Sequence, residues 1–120
     1  MNDAVHQRPL GRGEMIDVFR IERVLGCGGF GITYLATDTN LNVGVAVKEY
    51  FPQTAWRDPG TRTVCCYGGE AERSYQFGLD RFYKEGQILA QFNHPNIVRV
   101  RRLLTGNGTA YLEPIPKLTH

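Results

Sequence analysis

Long apolar runs are missing from this sequence: none approaches the ~20 residues needed to cross a bilayer, so no membrane segment is expected. The opening residues, Met1-Asn2-Asp3-Ala4-Val5-His6-Gln7-Arg8-Pro9, lack the basic stretch and apolar segment of a secretory leader, and the expected location is cytoplasmic. Cysteine is scarce and odd in number, three in all with Cys65 and Cys66 adjacent. That pattern is not a disulfide framework, and metal-ligand spacing is absent, so free thiols and no metal site are expected. Nor is there a large excess of one charge, the formal net charge being +2. The one basic cluster, Arg99, Arg101 and Arg102, interleaves with Val98, Val100 and Leu103. Near-alternation of that kind reads as a strand with a solvated face rather than as a nucleic-acid contact. What is present, 42% hydrophobic and 22% charged residues in 120, suffices for one folded domain with a core and argues against disorder.

Residues 1–15 carry Pro9, Gly11, Gly13 and scattered charges without periodicity, and are expected to form a flexible lead-in. Three strands are expected next, at 18–25, at 32–36 after a glycine cluster, and at 43–50 after the turn-forming Asp38-Thr39-Asn40-Leu41-Asn42. Between Pro52 and Gly69 turn formers and polar residues dominate, Asp58-Pro59-Gly60 above all, so this stretch reads as a surface insertion. Helix is expected from near Glu70, with Leu79, Phe82, Leu89 and Phe92 on one side and Asn93-His94-Pro95 ending it. Two more strands, 98–104 and 109–112, flank a Gly106-Asn107-Gly108 hairpin turn. The order is three strands, one helix, two strands.

Gly26-Cys27-Gly28-Gly29-Phe30-Gly31 matches GxGxxG, a pattern shared by unrelated nucleotide sites. A dinucleotide-binding turn would need a helix after the glycines, and here a strand follows; a P-loop would need Gly-Lys followed by Ser or Thr, which is absent. There remains a glycine-rich hairpin whose missing side chains let backbone amides approach phosphate oxygens, or a plain glycine turn. The chain then reaches Val45-Ala46-Val47-Lys48, where strand alternation puts Ala46 and Lys48 on one face. A lysine there needs solvent or an anionic partner. Phosphates under the glycine loop are one candidate. Glu85 is a second, three residues after Phe82 and four before Leu89 on the apolar side of the helix. Taken singly, each of the two reads as a partly exposed surface charge.

In this order around a glycine loop, these residues resemble the N-terminal lobe of the eukaryotic-type (Hanks-type) serine/threonine protein kinases, in the form found in bacteria. Residues 25–34 are similar to the glycine-rich loop, 45–48 to the strand carrying the phosphate-pairing lysine, and Phe82-Tyr83-Lys84-Glu85 to the helix bearing its glutamate. His94-Pro95-Asn96-Ile97-Val98 is similar to the connection from that helix to the next strand. The wording Gly-Phe-Gly-Ile-Thr-Tyr-Leu-Ala with Lys-Glu-Tyr-Phe-Pro looks bacterial. The resemblance implies an α+β fold, a five-stranded, mainly antiparallel twisted sheet with one principal helix, spanning 16–112.

It also implies ATP as the bound nucleotide, with Mg2+, and a protein as substrate of a complete family member. Lys48 would pair the α- and β-phosphates and be oriented by Glu85. Gly26, Gly28 and Gly31, with Gly29, would let the loop cover the phosphates and Phe30 close over its tip. Leu25, Ala46 and Thr33 would roof the adenine, Thr33 standing where the family usually has valine, and Cys27 is a loop residue beside the nucleotide. Gly86, next to Glu85, is expected to weaken the helix by roughly 1 kcal/mol if it is solvent-exposed. The family's catalytic and magnesium-holding aspartates lie after the fifth strand, whereas the last aspartate here is Asp80, with no His-Arg-Asp or Asp-Phe-Gly. No catalytic residue and no metal ligand is therefore assigned within the chain. Residues 113–120 diverge from the family's hinge, Pro114 and Pro116 lacking amide hydrogens. The expectation is a truncated or frameshifted kinase gene, unable to transfer phosphate alone. The alternative is a non-catalytic module that binds nucleotide or a protein.

Overall fold

The computed structural model describes residues 8–91, 94–96 and 98–115. Phe92, Asn93 and Ile97, to which the sequence reading gave places, lie outside the described residues, as do 1–7 and 116–120. In chain order the elements are β1 (Met15–Ile16), β2 (Phe19–Cys27), β3 (Gly31–Asp38), β4 (Val43–Tyr50), β5 (Trp56–Arg57), β6 (Val64–Cys65), α1 (Glu70–Gln91), β7 (Arg99–Gly106) and β8 (Thr109–Ile115). The main sheet has the order β1-β2-β3-β4-β8-β7, every neighbouring pair antiparallel, and β5 and β6 form a separate hairpin.

The sheet thus has six strands, not the expected five. The additional strand is β1, whose Met15 and Ile16 pair with Arg20 and Phe19 across a turn at Asp17. Two residues are too few to show alternation, which is why no strand was legible there. The last strand also runs beyond Leu112, through Glu113 to Ile115, opposite β7. The tight turn between them holds Asn107 and Gly108 at φ of 51° and 73°, the left-handed pair that a two-residue hairpin favours. A bulge between Val100 and Arg102 turns the arginine-valine alternation of β7 into a near-alternation. Arg101 then reaches Glu113 at 3.1 Å, and the Arg102 guanidinium lies 5.6 Å from the Phe19 ring centre.

Register divides the sheet into two faces. Thr33, Lys48 and Leu112 stand opposite one another across β3, β4 and β8, and Leu103 stands opposite Leu112. Residues directly opposite share a face, so these four lie on one side. Helix α1 packs on that side. Its Gly86 is buried, not exposed, because a Cβ there would come within 2.9 Å of Leu103 Cδ1. The glycine lets helix and sheet approach, which replaces the expectation of a weak, solvated point in the helix. Nearer its start, Tyr75 and Phe82 pack against Tyr50 with ring centres 5.3 and 5.7 Å apart. Glu70 and Glu72 in the first turn complement the helix dipole.

The opposite face carries Tyr34, Val47, Glu49 and Tyr111, all buried. It is covered by the stretch read as a surface insertion together with residues 8–15 of the expected lead-in. Leu10, Ala55 and Val64 are each 4% exposed there. The insertion is therefore a structural layer rather than a surface excursion, its hairpin tied to the sheet by the Val64 amide donating to Asn107 O at 2.7 Å. Arg62 joins the two covering segments by binding Glu14 at 2.9 Å.

That ion pair makes a pH prediction. Hydrogen bonding to Arg62 holds the Glu14 carboxyl below its ordinary 4.5. A depressed carboxylate contributes stability above the unfolded value, lost as pH falls through the folded one. Thermal melts from about pH 7 to about pH 3 will show wild type more stable than Glu14→Gln at neutral pH. The gap will close as Glu14 is protonated; a constant gap would rule out the ion pair as its source.

Candidate functional site

The glycine loop spans the turn from β2 to β3. Gly28 donates its amide to Gly31 O at 2.9 Å, and a Cβ on Gly26, Gly28 or Gly29 would meet nothing within 4 Å. Space therefore lies open beside the loop backbone. Phe30 at the tip is 77% exposed. Gly31 differs: it is buried, and a Cβ there would stand 2.6 Å from Glu49 O and 3.5 Å from Lys48 Cε. The Lys48 side chain thus runs past the base of the loop, on the helix-bearing face of the sheet beside Thr33.

A cleft of about 780 Å³ opens between the loop, the end of β4 and α1, lined among others by Gly29, Phe30, Lys48, Tyr50, Arg81 and Glu85. A smaller cavity of about 260 Å³ continues from Lys48 and Glu85 toward Leu89, Val100 and Leu112. Four of the expected nucleotide residues, Gly29, Phe30, Lys48 and Glu85, are therefore brought to one cleft. Leu25, Gly26, Cys27, Gly28, Gly31, Thr33 and Ala46 do not line it. Thr33 and Ala46 are half-buried on the sheet face that carries Lys48, Gly26 stands opposite Thr33, and Leu25 and Cys27 are exposed.

Lys48 and Glu85 face the same space without pairing. The Glu85 carboxylate lies 3.8 Å from Arg81, one helical turn away, and the ion pairs among the described residues do not include Lys48. Arg81 was not singled out in the sequence, although its i,i+4 spacing to Glu85 was the available signal. Burial, above all, pushes the nearby Tyr75 hydroxyl up to about 12, so it stays a neutral donor and acceptor at physiological pH.

The sequence reading also missed the charged cluster on the far side of β4. Glu49, next to Lys48, is fully buried and receives three short hydrogen bonds, from Tyr34 Oη, Tyr111 Oη and Arg57 Nη2, each 2.6 Å. Burial and the adjacent Glu49 charge raise both tyrosines well above their ordinary range, so both remain protonated donors. Arg57 also donates from Nε to Arg8 O and from Nη1 to Arg62 O. The signal was alternation itself, which turns Glu49 away from solvent once Lys48 faces the cleft.

No protein-family model matches the chain. Among curated proteins, the serine/threonine-protein kinase PknJ of Mycobacterium tuberculosis is 31% identical over 93 residues, 78% of this chain, and the Mycobacterium bovis protein of the same name matches equally. The chain spans 13% of the length of those relatives. Among solved structures, the apo form of PpkA-294 superposes with a TM-score of 0.82 at 36% identity, covering 89% of this chain and 38% of that one. The Mycobacterium tuberculosis PknI kinase domain superposes over 88% of this chain and 36% of its own at a TM-score of 0.57; at 23% identity this is a likeness of fold. Among the described residues, no helix is long and apolar enough to cross a membrane. The glycine hairpin over a strand lysine, the helix glutamate across the cleft and these relatives together place the chain in the family of bacterial Hanks-type serine/threonine protein kinases, of whose kinase domain it matches a stretch the size of the N-terminal lobe.

Proposed function

We propose that this chain supplies the ATP-binding lobe of a serine/threonine protein kinase and that by itself it binds nucleotide without transferring phosphate. The observation that carries this reading is the seat of Lys48, running past the base of a glycine loop with open space beside its backbone, in a cleft shared with Phe30 and Glu85. Loop amides and the Lys48 ammonium would hold the phosphates, the lysine on the α and β groups. Leu25, Thr33 and Ala46 would roof the adenine. Glu85 would orient Lys48 after leaving Arg81, a surface pair of the kind worth only about 0.3–0.5 kcal/mol.

Mg2+ finds no comparable fit. Among the described residues, Glu85 is the sole carboxylate lining the larger cleft, and no group of three His, Cys, Asp or Glu could hold a metal. With Asp80 the last aspartate, this chain also offers no carboxylate in the family's catalytic place to orient a substrate hydroxyl.

Calorimetric titration of Mg·ATP tests the reading. The chain will bind, and Lys48→Ala will bind roughly tenfold more weakly or worse with an unchanged melting temperature, because Lys48 is exposed. Equal affinity in Lys48→Ala would remove the phosphate role. Magnesium-dependent labelling of a protein substrate by the pure chain would overturn the absence of transfer.

A further inference from the structure

The glycine loop is held from outside its own hairpin. Beyond the β3–β4 ladder, Phe51 donates its amide to Phe30 O at 3.0 Å and Gln53 donates its amide to Gly29 O at 3.2 Å. Both donors belong to the segment that leads from β4 into the covering layer. Arg8 grips that segment. Its guanidinium donates to Gln53 O at 3.2 Å and to Pro52 O and Ala55 O at 3.4 Å, and lies 4.4 Å from the centre of the Phe51 ring. Arg57 lies 4.9 Å from the same ring while binding Arg8 O at 2.6 Å.

We propose that Arg8 is a positioning residue for the nucleotide site: it straps residues 51–55 against the covering layer, so that the Phe51 and Gln53 amides hold the tip of the glycine loop. This rests on the nucleotide-binding reading above and adds a control to that site, from a residue with no place in the cleft. A loop whose tip is already held loses less freedom when phosphates arrive, so a population of loosened loops lowers apparent affinity in proportion. Arg8 suits the task because one planar guanidinium spans several carbonyls while stacking on an aromatic face. The strap joins the N-terminal segment to the loop. Whatever draws residues 8–10 off the sheet therefore weakens nucleotide binding without touching the nucleotide.

Two readouts on the full chain test this. Amide hydrogen exchange, followed by NMR without nucleotide, will show faster exchange at Phe51 and Gln53 in Arg8→Ala, with the Val45 and Val47 amides in the β3–β4 ladder unchanged. Arg8→Lys, which keeps a cation and three donors, will restore part of that protection. Titration with Mg·ADP will show Kd raised roughly threefold to tenfold in Arg8→Ala. Wild-type exchange at Phe51 and Gln53 in Arg8→Ala overturns the strap, and so does an equal rise across the sheet amides, which marks general loosening. Failure of the wild-type chain to bind Mg·ADP overturns the nucleotide reading instead, leaving the exchange measurement to judge the strap separately.

Discussion

Arg57→Met will lower the melting temperature of this chain by about 10–20 °C, the size expected when one partner of a buried ion pair is removed at about 3–5 kcal/mol. Both side chains of the Glu49–Arg57 pair are 0% exposed. Methionine fills much of the arginine's volume, so the loss comes from stranding the Glu49 carboxylate with two tyrosine hydroxyls and no counter-charge. The remedy follows from the same physics. Glu49→Gln in the Arg57→Met background removes the stranded charge, and its amide can still accept from one tyrosine and donate to the other. The double variant will therefore melt above Arg57→Met alone, although the Arg57 bonds to Arg8 O and Arg62 O remain lost. Melts of both single variants and the double decide it; a double variant no more stable than Arg57→Met would show that burial of charge is not the cause.

Gly31→Val will destabilise the chain by about 3 kcal/mol, at the upper end for overpacking, because the atom in the way belongs to the backbone. A Cβ at this position would stand 2.6 Å from Glu49 O, inside a ladder where Gly31 and Tyr50 are partners. A flexible side chain could turn aside; a paired strand cannot. The loop and β4 must therefore separate, which also displaces Lys48 Cε, 3.5 Å from the same point. By contrast, Gly28→Ala meets nothing within 4 Å and will leave the melting temperature almost unchanged. Denaturant unfolding of the two variants separates the roles, and equal losses would remove the close approach as the reason for Gly31.

Much of this was legible before any coordinates. The glycine cluster followed by a β-branched run marked a hairpin rather than a turn into a helix, and β2, β3 and β4 pair antiparallel in that order around it. Alternation placed Lys48 and Ala46 on one face. What escaped were features whose residues carry no local pattern. Met15 and Ile16 form a strand only because β2 lies beside them. Arg57 and Val64 look like parts of a polar turn region until Glu49 and Asn107 are seen as their partners. Gly86 reads as a helix weakness until Leu103 is found against it.

The sequence by itself determined the three central strands, the glycine loop between the first two, the helix and the two strands after it, and it put Lys48 on a strand and Glu85 on the helix, because these rest on short-range periodicity within single elements. That Lys48 and Glu85 act together is what the family resemblance implies. Only the tertiary structure decided which charges meet. Glu85 turns to Arg81, a neighbour one turn away on the same helix, while Glu49 is met by Arg57 through a loop and by Tyr111 from a strand 62 residues on. An ion pair within a helix forms wherever the helix does, but a buried carboxylate takes its partners from whatever the fold packs over it. In this chain that cover is the insertion and the N-terminal segment, which the sequence presented as loose ends.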